Sequence, residues 1–174
     1  MKKGNPLIVL GMILALMLSA CGDPEAQAAG DACQAFFDAY AAQDGEAVGD
    51  RMQGGGDGFT FSRMQGALAG RMEAETGSAK VNGEEATVSA EMVSIDVAAV
   101  FKGVPQTVES REAALSSLIA AFEAPDVPTR EFKVTVKMVK ENGEWLVQMT
   151  PELSDALLGG YNSLLASMIE EAGL

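Results

Sequence analysis

The chain has 174 residues and carries 25 acidic against 12 basic side chains, a formal net charge of −13, with no histidine and two cysteines. That acidity excludes nucleic acid as a partner, because phosphate binding needs clustered Lys and Arg, and it opposes acidic polymers and anionic headgroups. The missing histidine removes Ser-His and Cys-His nucleophilic pairs, His-ligated zinc and most proton shuttles that work near neutral pH.

The N-terminus reads as a lipoprotein signal over residues 1–20. Lys2 and Lys3 form a positive start, and residues 7–18 are an apolar run with one Gly and no charge. Twelve residues in a helix reach ~18 Å, well short of a hydrocarbon core of ~30 Å, so the run reads as a processed signal. Leu18-Ser19-Ala20-Cys21 then places small residues before a thiol suited to acylation. An ordinary secretory signal with a chance cysteine is the competing reading. One acyl chain anchors only marginally and two or three anchor stably, so a lipidated Cys21 implies a membrane-anchored protein facing the extracytoplasmic side. Cys33 is then the one remaining thiol, placed on the apolar side of a helix.

Residues 21–29 read as an Ala-rich tether and residues 30–174 as the domain. A first helix is predicted over 31–43, with Asp31 as its cap and Cys33, Phe36, Phe37, Tyr40 and Ala41 as its apolar stripe. Asp44-Gly45 breaks it, and 46–52 continues briefly. Gly54-Gly55-Gly56-Asp57-Gly58 lacks the Gly-Lys-Ser/Thr of a phosphate loop and the repeated carboxylates of a calcium loop. It reads as a hinge. A second helix is predicted over 60–73, carrying Phe61, Met64, Leu68 and Met72.

Residues 79–97 read as a hairpin turning at Asn82-Gly83. On its long second strand Ala86, Val88, Ala90 and Met92 are apolar, and then Val93, Ile95 and Val97 take over. A slipped period of two predicts a bulge at Met92 or Val93. A helical turn follows at 98–101, and a third helix is predicted over 109–122 with Leu115, Leu118, Ile119 and Phe122. A second hairpin alternates Phe132, Val134, Val136 and Met138, turns at Asn142-Gly143, and returns through Trp145, Val147 and Met149. Thr150-Pro151 opens a helical segment, Gly159-Gly160 interrupts it, and Tyr161, Leu164, Leu165, Met168 and Ile169 mark a last amphipathic helix.

This order resembles the nuclear transport factor 2-like superfamily, and more narrowly bacterial lipoproteins that carry such a domain. The likeness rests on Phe36-Phe37-Asp38-Ala39-Tyr40 with Asp44-Gly45, on Ser94-Ile95-Asp96-Val97, and on Val139-Lys140-Glu141-Asn142-Gly143-Glu144-Trp145-Leu146-Val147 with the segment to Gly159-Gly160. It spans roughly residues 30–160. It implies an α+β fold in which a curved antiparallel sheet wraps over N-terminal helices as a cone, here with an extra C-terminal helix. Enzymes of that superfamily usually use Asp-His or Tyr-Asp sets in the cone; this chain has no histidine, and no catalytic position of the family carries over to it.

The functional expectation is a lipid-anchored, extracytoplasmic binding or interaction module that is not an enzyme and takes no cofactor or metal. Its partners would be a small apolar ligand held by Phe37, Tyr40, Trp145 and Met149, or an envelope protein docked on the sheet or the last helix. The alternative is a carboxylate- and Tyr-based isomerase or hydrolase using Asp38, Asp96 and Tyr40.

Overall fold

The computed structural model describes residues 23–56, 58–104 and 110–173. The proposed signal, Cys21, Asp57 and Glu109 lie outside the described residues.

Helix α1 spans Pro24–Ala41, starting seven residues earlier than predicted. Asp23 caps it, its Oδ1 accepting from Glu25 N at 3.0 Å. Pro24 suits the first turn, where no backbone donor is required. The expected tether is therefore mostly helix. The reason is packing: Ala29 is fully buried and extends the stripe of Cys33, Phe36, Phe37 and Tyr40 back by one turn. Asp44 caps a short α2, Gly45–Asp50, and Ser62 with Gln65 forms a capping box on α3, Arg63–Ala69.

Four strands follow in a simple antiparallel order, β1-β2-β3-β4: β1 Glu73–Asn82, β2 Glu85–Ile95, β3 Thr129–Glu141 and β4 Glu144–Gln148. The second hairpin turns as expected at Asn142 (φ 52°) and Gly143 (φ 90°), the two left-handed residues of a type I′ turn. The first is centred one residue later than expected. Asn82 pairs with Glu85, so Gly83 and Glu84 make the turn.

The expected bulge in β2 is absent, since β2 runs in unbroken register with β3 from Glu85–Val139 to Ile95–Thr129. The irregularity sits on β1 instead, between Thr76 and Ala79. Gly77 belongs there for a steric reason, because a Cβ at that position would lie 2.7 Å from Ser89 Oγ. The change of phase in β2 has another cause. Ser94 continues the buried face of Met92, while Ile95 is also buried because a second cluster covers the opposite face.

That second cluster comprises Leu68, Ile95, Val97, Val100 and Phe122. It is built by α3, by α4 (Val97–Gly103, capped by Asp96) and by α5 (Arg111–Phe122, capped by Ser110). The larger core lies between α1 and the sheet, around Phe36, Phe37, Tyr40, Met92, Val136, Met138 and Val147. Burying each such side chain contributes roughly 1.5–3 kcal/mol. Helix α6, Pro151–Leu157, adds Leu153, Ala156 and Leu157 to this core. Helix α7, Tyr161–Glu171, has no fully buried residue, and Leu165, Met168 and Ile169 are exposed.

Both sheet edges are covered in part. At β4, Gln53 N donates to Val147 O at 2.9 Å and Val147 N donates to Arg51 O at 2.8 Å. At β1, the Gln34 amide mimics a strand, with Nε2 donating to Ala74 O and Oε1 accepting from Thr76 N, both at 3.0 Å. Covered edges resist pairing with other chains. The result is an α+β fold with an antiparallel sheet curled over N-terminal helices, the expected cone architecture, with a C-terminal helix added.

Candidate functional site

A cleft of about 420 Å³ opens where the C-terminal half of α1 meets the start of β1, the end of β2 and the start of β3. The volume is within the usual range for small-molecule sites. Phe37, Met72 and Met92 are buried beneath it, and Ala41, Ala74, Val93 and Phe132 are half-buried beside it. Asp38, Glu73, Glu75, Glu91, Glu131 and Lys133 are its exposed, charged members.

Strand alternation explains this division. Ala74, Met92 and Phe132 are register partners whose side chains take the core face, while Glu75, Glu91 and Lys133 form the neighbouring row on the solvent face. Glu75 thus stands directly opposite Glu91, a like-charge arrangement that is unfavourable by itself. Lys133 relieves it, with Nζ 2.8 Å from Glu91 Oε1. The bond to Lys133 and its charge lower the Glu91 pKa, and Glu91 in turn raises that of Lys133. Among the described residues no ion pair reaches Asp38, Glu73, Glu75 or Glu131.

Asp38 is the carboxylate whose direction is held. Gln34 Nε2 donates to its Oδ1 at 2.9 Å, one helical turn earlier on α1. Gln34 is itself fixed by the β1 backbone, so the α1–β1 joint sets the direction of Asp38. Ionised carboxylates accept hydrogen bonds and take protons from a bound molecule, and this is the chemistry the cleft offers. Among the described residues no three His, Cys, Asp or Glu side chains gather as a metal site.

Of the four residues expected to line a cavity, Phe37 lines the cleft and the other three lie elsewhere. Tyr40 is buried among Phe36, Phe59 and Phe61, with ring centroids 6.2, 6.1 and 5.1 Å away. Burial pushes its pKa up to about 12. Trp145 lies towards the other end of α1, where Nε1 donates to Glu25 Oε2 at 3.2 Å. Met149 is exposed just beyond β4. Nor do Asp38, Asp96 and Tyr40 converge as an acid–base set. Asp96 caps α4, its Oδ1 accepting from Ala99 N at 3.0 Å. Cys33 is fully buried, and its pKa is pushed up to about 12 by desolvation.

Sequence reasoning missed Gln34 and the strand carboxylates. The i,i+4 spacing of Gln34 and Asp38 was a usable signal. Glu73 and Glu75 were hidden because β1 was expected to begin at Ala79.

No family model and no curated protein matches the chain. A search of solved structures finds similarity to an LEH-like epoxide hydrolase from M. tuberculosis, at 16% identity and a TM-score of 0.35, covering 85% of this chain and 97% of that one. The expectation that the chain is not an enzyme is corrected here. The solved neighbour bears the name of a hydrolase, and a lack of histidine does not exclude carboxylate chemistry.

Proposed function

We propose that the protein is a membrane-tethered domain that binds a small molecule in the cleft beside Asp38. The observation that carries the reading is the Gln34–Asp38 contact, which aims a carboxylate at a site with Phe37, Met72 and Met92 beneath it. A pocket with apolar walls and a few directed polar groups is the usual form of a small-molecule site. The tether is supported by Lys2-Lys3, the apolar run over 7–18 and Leu18-Ser19-Ala20-Cys21. Acyl chains on Cys21 would hold the protein to the extracytoplasmic face of its membrane.

Native mass spectrometry of the full-length protein, purified from the membranes of its own host, tests this reading. The expected result is a retained small molecule that is lost from Asp38→Asn. A bare protein in both samples contradicts it.

A second reading is favoured by the same carboxylate: turnover of the bound molecule, as an isomerase or hydrolase with Asp38 as base or nucleophile. Asp96 and Tyr40 take no part, being respectively a helix cap and a buried core residue. A panel of epoxides, esters and enones measures this. Turnover abolished by Asp38→Asn supports catalysis, and turnover unchanged by that substitution removes Asp38 from the chemistry.

A further inference from the structure

The start of α1 is pinned to the second hairpin. Glu25 Oε2 accepts from Lys140 Nζ at 2.6 Å and from Trp145 Nε1 at 3.2 Å, while Lys140 Nζ sits 5.5 Å from the centroid of the Trp145 ring. The first hairpin ends beside it, since Lys140 N donates to Glu84 O at 2.8 Å. The N-terminus of α1, the Gly83-Glu84 turn and the Asn142-Gly143 turn therefore occupy one end of the molecule. From there α1 runs antiparallel to β1, passing Ala74 and Thr76 at Gln34 and reaching the cleft at Asp38. The thirteen residues from Glu25 to Asp38 put ~20 Å of helix between the two ends.

Cys21 is two residues from Asp23, the cap of α1. Two residues span at most ~7 Å, so acyl chains on Cys21 must enter the membrane close to the pinned end. We propose that the two hairpin turns face the lipid headgroups and that the cleft faces away from the bilayer. This orientation rests on the lipid-anchor reading. It replaces a domain swinging on a flexible leash with one held in a defined pose, whose cleft takes its ligand from the aqueous side.

The exposed apolar residues of α7, Leu165, Met168 and Ile169, are the rival contact, and it is the short reach from Cys21 to Asp23 that favours the turn end over them. Helix α7 follows Gly159, whose carbonyl accepts from Val97 N at 3.1 Å, just beyond the Ile95 end of β2. From there the helix folds back along α6, with Ser163 N donating to Asp155 Oδ1 at 2.9 Å and Ala166 lining a groove with Pro151 and Glu152. Charge does not hold the turns down, because Glu84, Glu85, Glu141 and Glu144 outnumber the nearby lysines. The acyl chains supply the attachment and the Glu25 contacts supply the direction.

Fluorophores on single cysteines test the orientation. Glu84→Cys and Glu144→Cys report on the turn end, Glu131→Cys on the cleft end and Met168→Cys on the exposed apolar face of α7. Cys33 is buried and stays unlabelled. The full-length lipidated protein is placed in phosphatidylcholine vesicles whose acyl chains carry doxyl quenchers. The expected result is quenching several-fold stronger at Glu84→Cys and Glu144→Cys than at the other two positions. Equal quenching at all four, or strongest quenching at Met168→Cys, overturns the orientation while leaving the anchor intact. A chain that does not float with the vesicles overturns the anchor and the orientation together. In Glu25→Gln the contrast between the two ends shrinks, an effect absent if the pinned helix start plays no part.

Discussion

Gln34 donates to Asp38 Oδ1 at 2.9 Å while the same amide bridges Ala74 O and Thr76 N on β1. One side chain thus covers part of the sheet edge and directs a carboxylate into the cleft. Replacing it with Ala strands two part-buried backbone groups, and an unmet buried polar group costs about 1–3 kcal/mol. We expect Gln34→Ala to lose stability in that range in urea unfolding. Asp38→Asn, which leaves the β1 contacts in place, should change stability by about 0.5 kcal/mol or less. Equal losses from both variants would contradict the division of roles.

Glu25 gives a prediction in acid. The hydrogen bond from Lys140 is the main cause of its lowered pKa, with the charge of Lys140 and the Trp145 contact adding to it against some desolvation. A carboxyl depressed in the folded state contributes stability above its unfolded pKa and loses it as pH falls through the lowered folded value. Trp145, the single tryptophan, reports this event directly. Its emission should change on acidification through the lower part of the carboxylate range. Glu25→Gln should lack that step, and an identical titration in both proteins would sink the assignment.

Cys33 has no exposed surface, and desolvation raises its pKa to about 12. Thiolate is the reactive form, so alkylating reagents at pH 8 should leave Cys33 unmodified until urea unfolds the chain. Peptide mapping by mass spectrometry checks this. Modification of the folded protein at the unfolded rate would mean that α1 is not packed as described.

Gly159 separates α6 from α7 with a φ of 61°, and a Cβ there would collide with the Ile95 carbonyl oxygen. A left-handed backbone costs a non-glycine residue about 1–3 kcal/mol, and overpacking adds about 1–3 kcal/mol. Gly159→Ala should therefore lose about 3 kcal/mol or more. Gly83 has a similar φ of 64° with open space around it, so Gly83→Ala should lose only the backbone part. Thermal unfolding of the two variants separates strain from collision, and equal losses would refute the close approach at Gly159.

Local patterns foretold much of this fold. The Asn142-Gly143 turn, the stripe of α1 and the span of α7 all follow from spacings within a few residues. The misreadings came from tertiary causes. The change of phase in β2 looks like a slipped register in a single strand, yet it records a second core cluster around Ile95 that only the folded chain assembles. The Ala-rich stretch before Asp31 looks like a tether, because nothing local shows that Ala29 meets a core. The cleft was the least legible part. It draws residues from α1 and three strands, and no window of the sequence brings Asp38, Glu75, Met92 and Phe132 together.

Amide chemical-shift mapping tests the central claim that a ligand site lies at the cleft end. The full-length protein is titrated with 4-phenylbutylammonium, an apolar body bearing the charge that the cleft carboxylates attract, with 4-phenylbutanoate as the control. The account predicts saturable shifts for the cation centred on residues 37–41, 73–75, 91–93 and 131–133, which vanish in Asp38→Asn and are not matched by the anion. Shifts confined to Leu165, Met168 and Ile169 on α7, or none at the cleft, would contradict it.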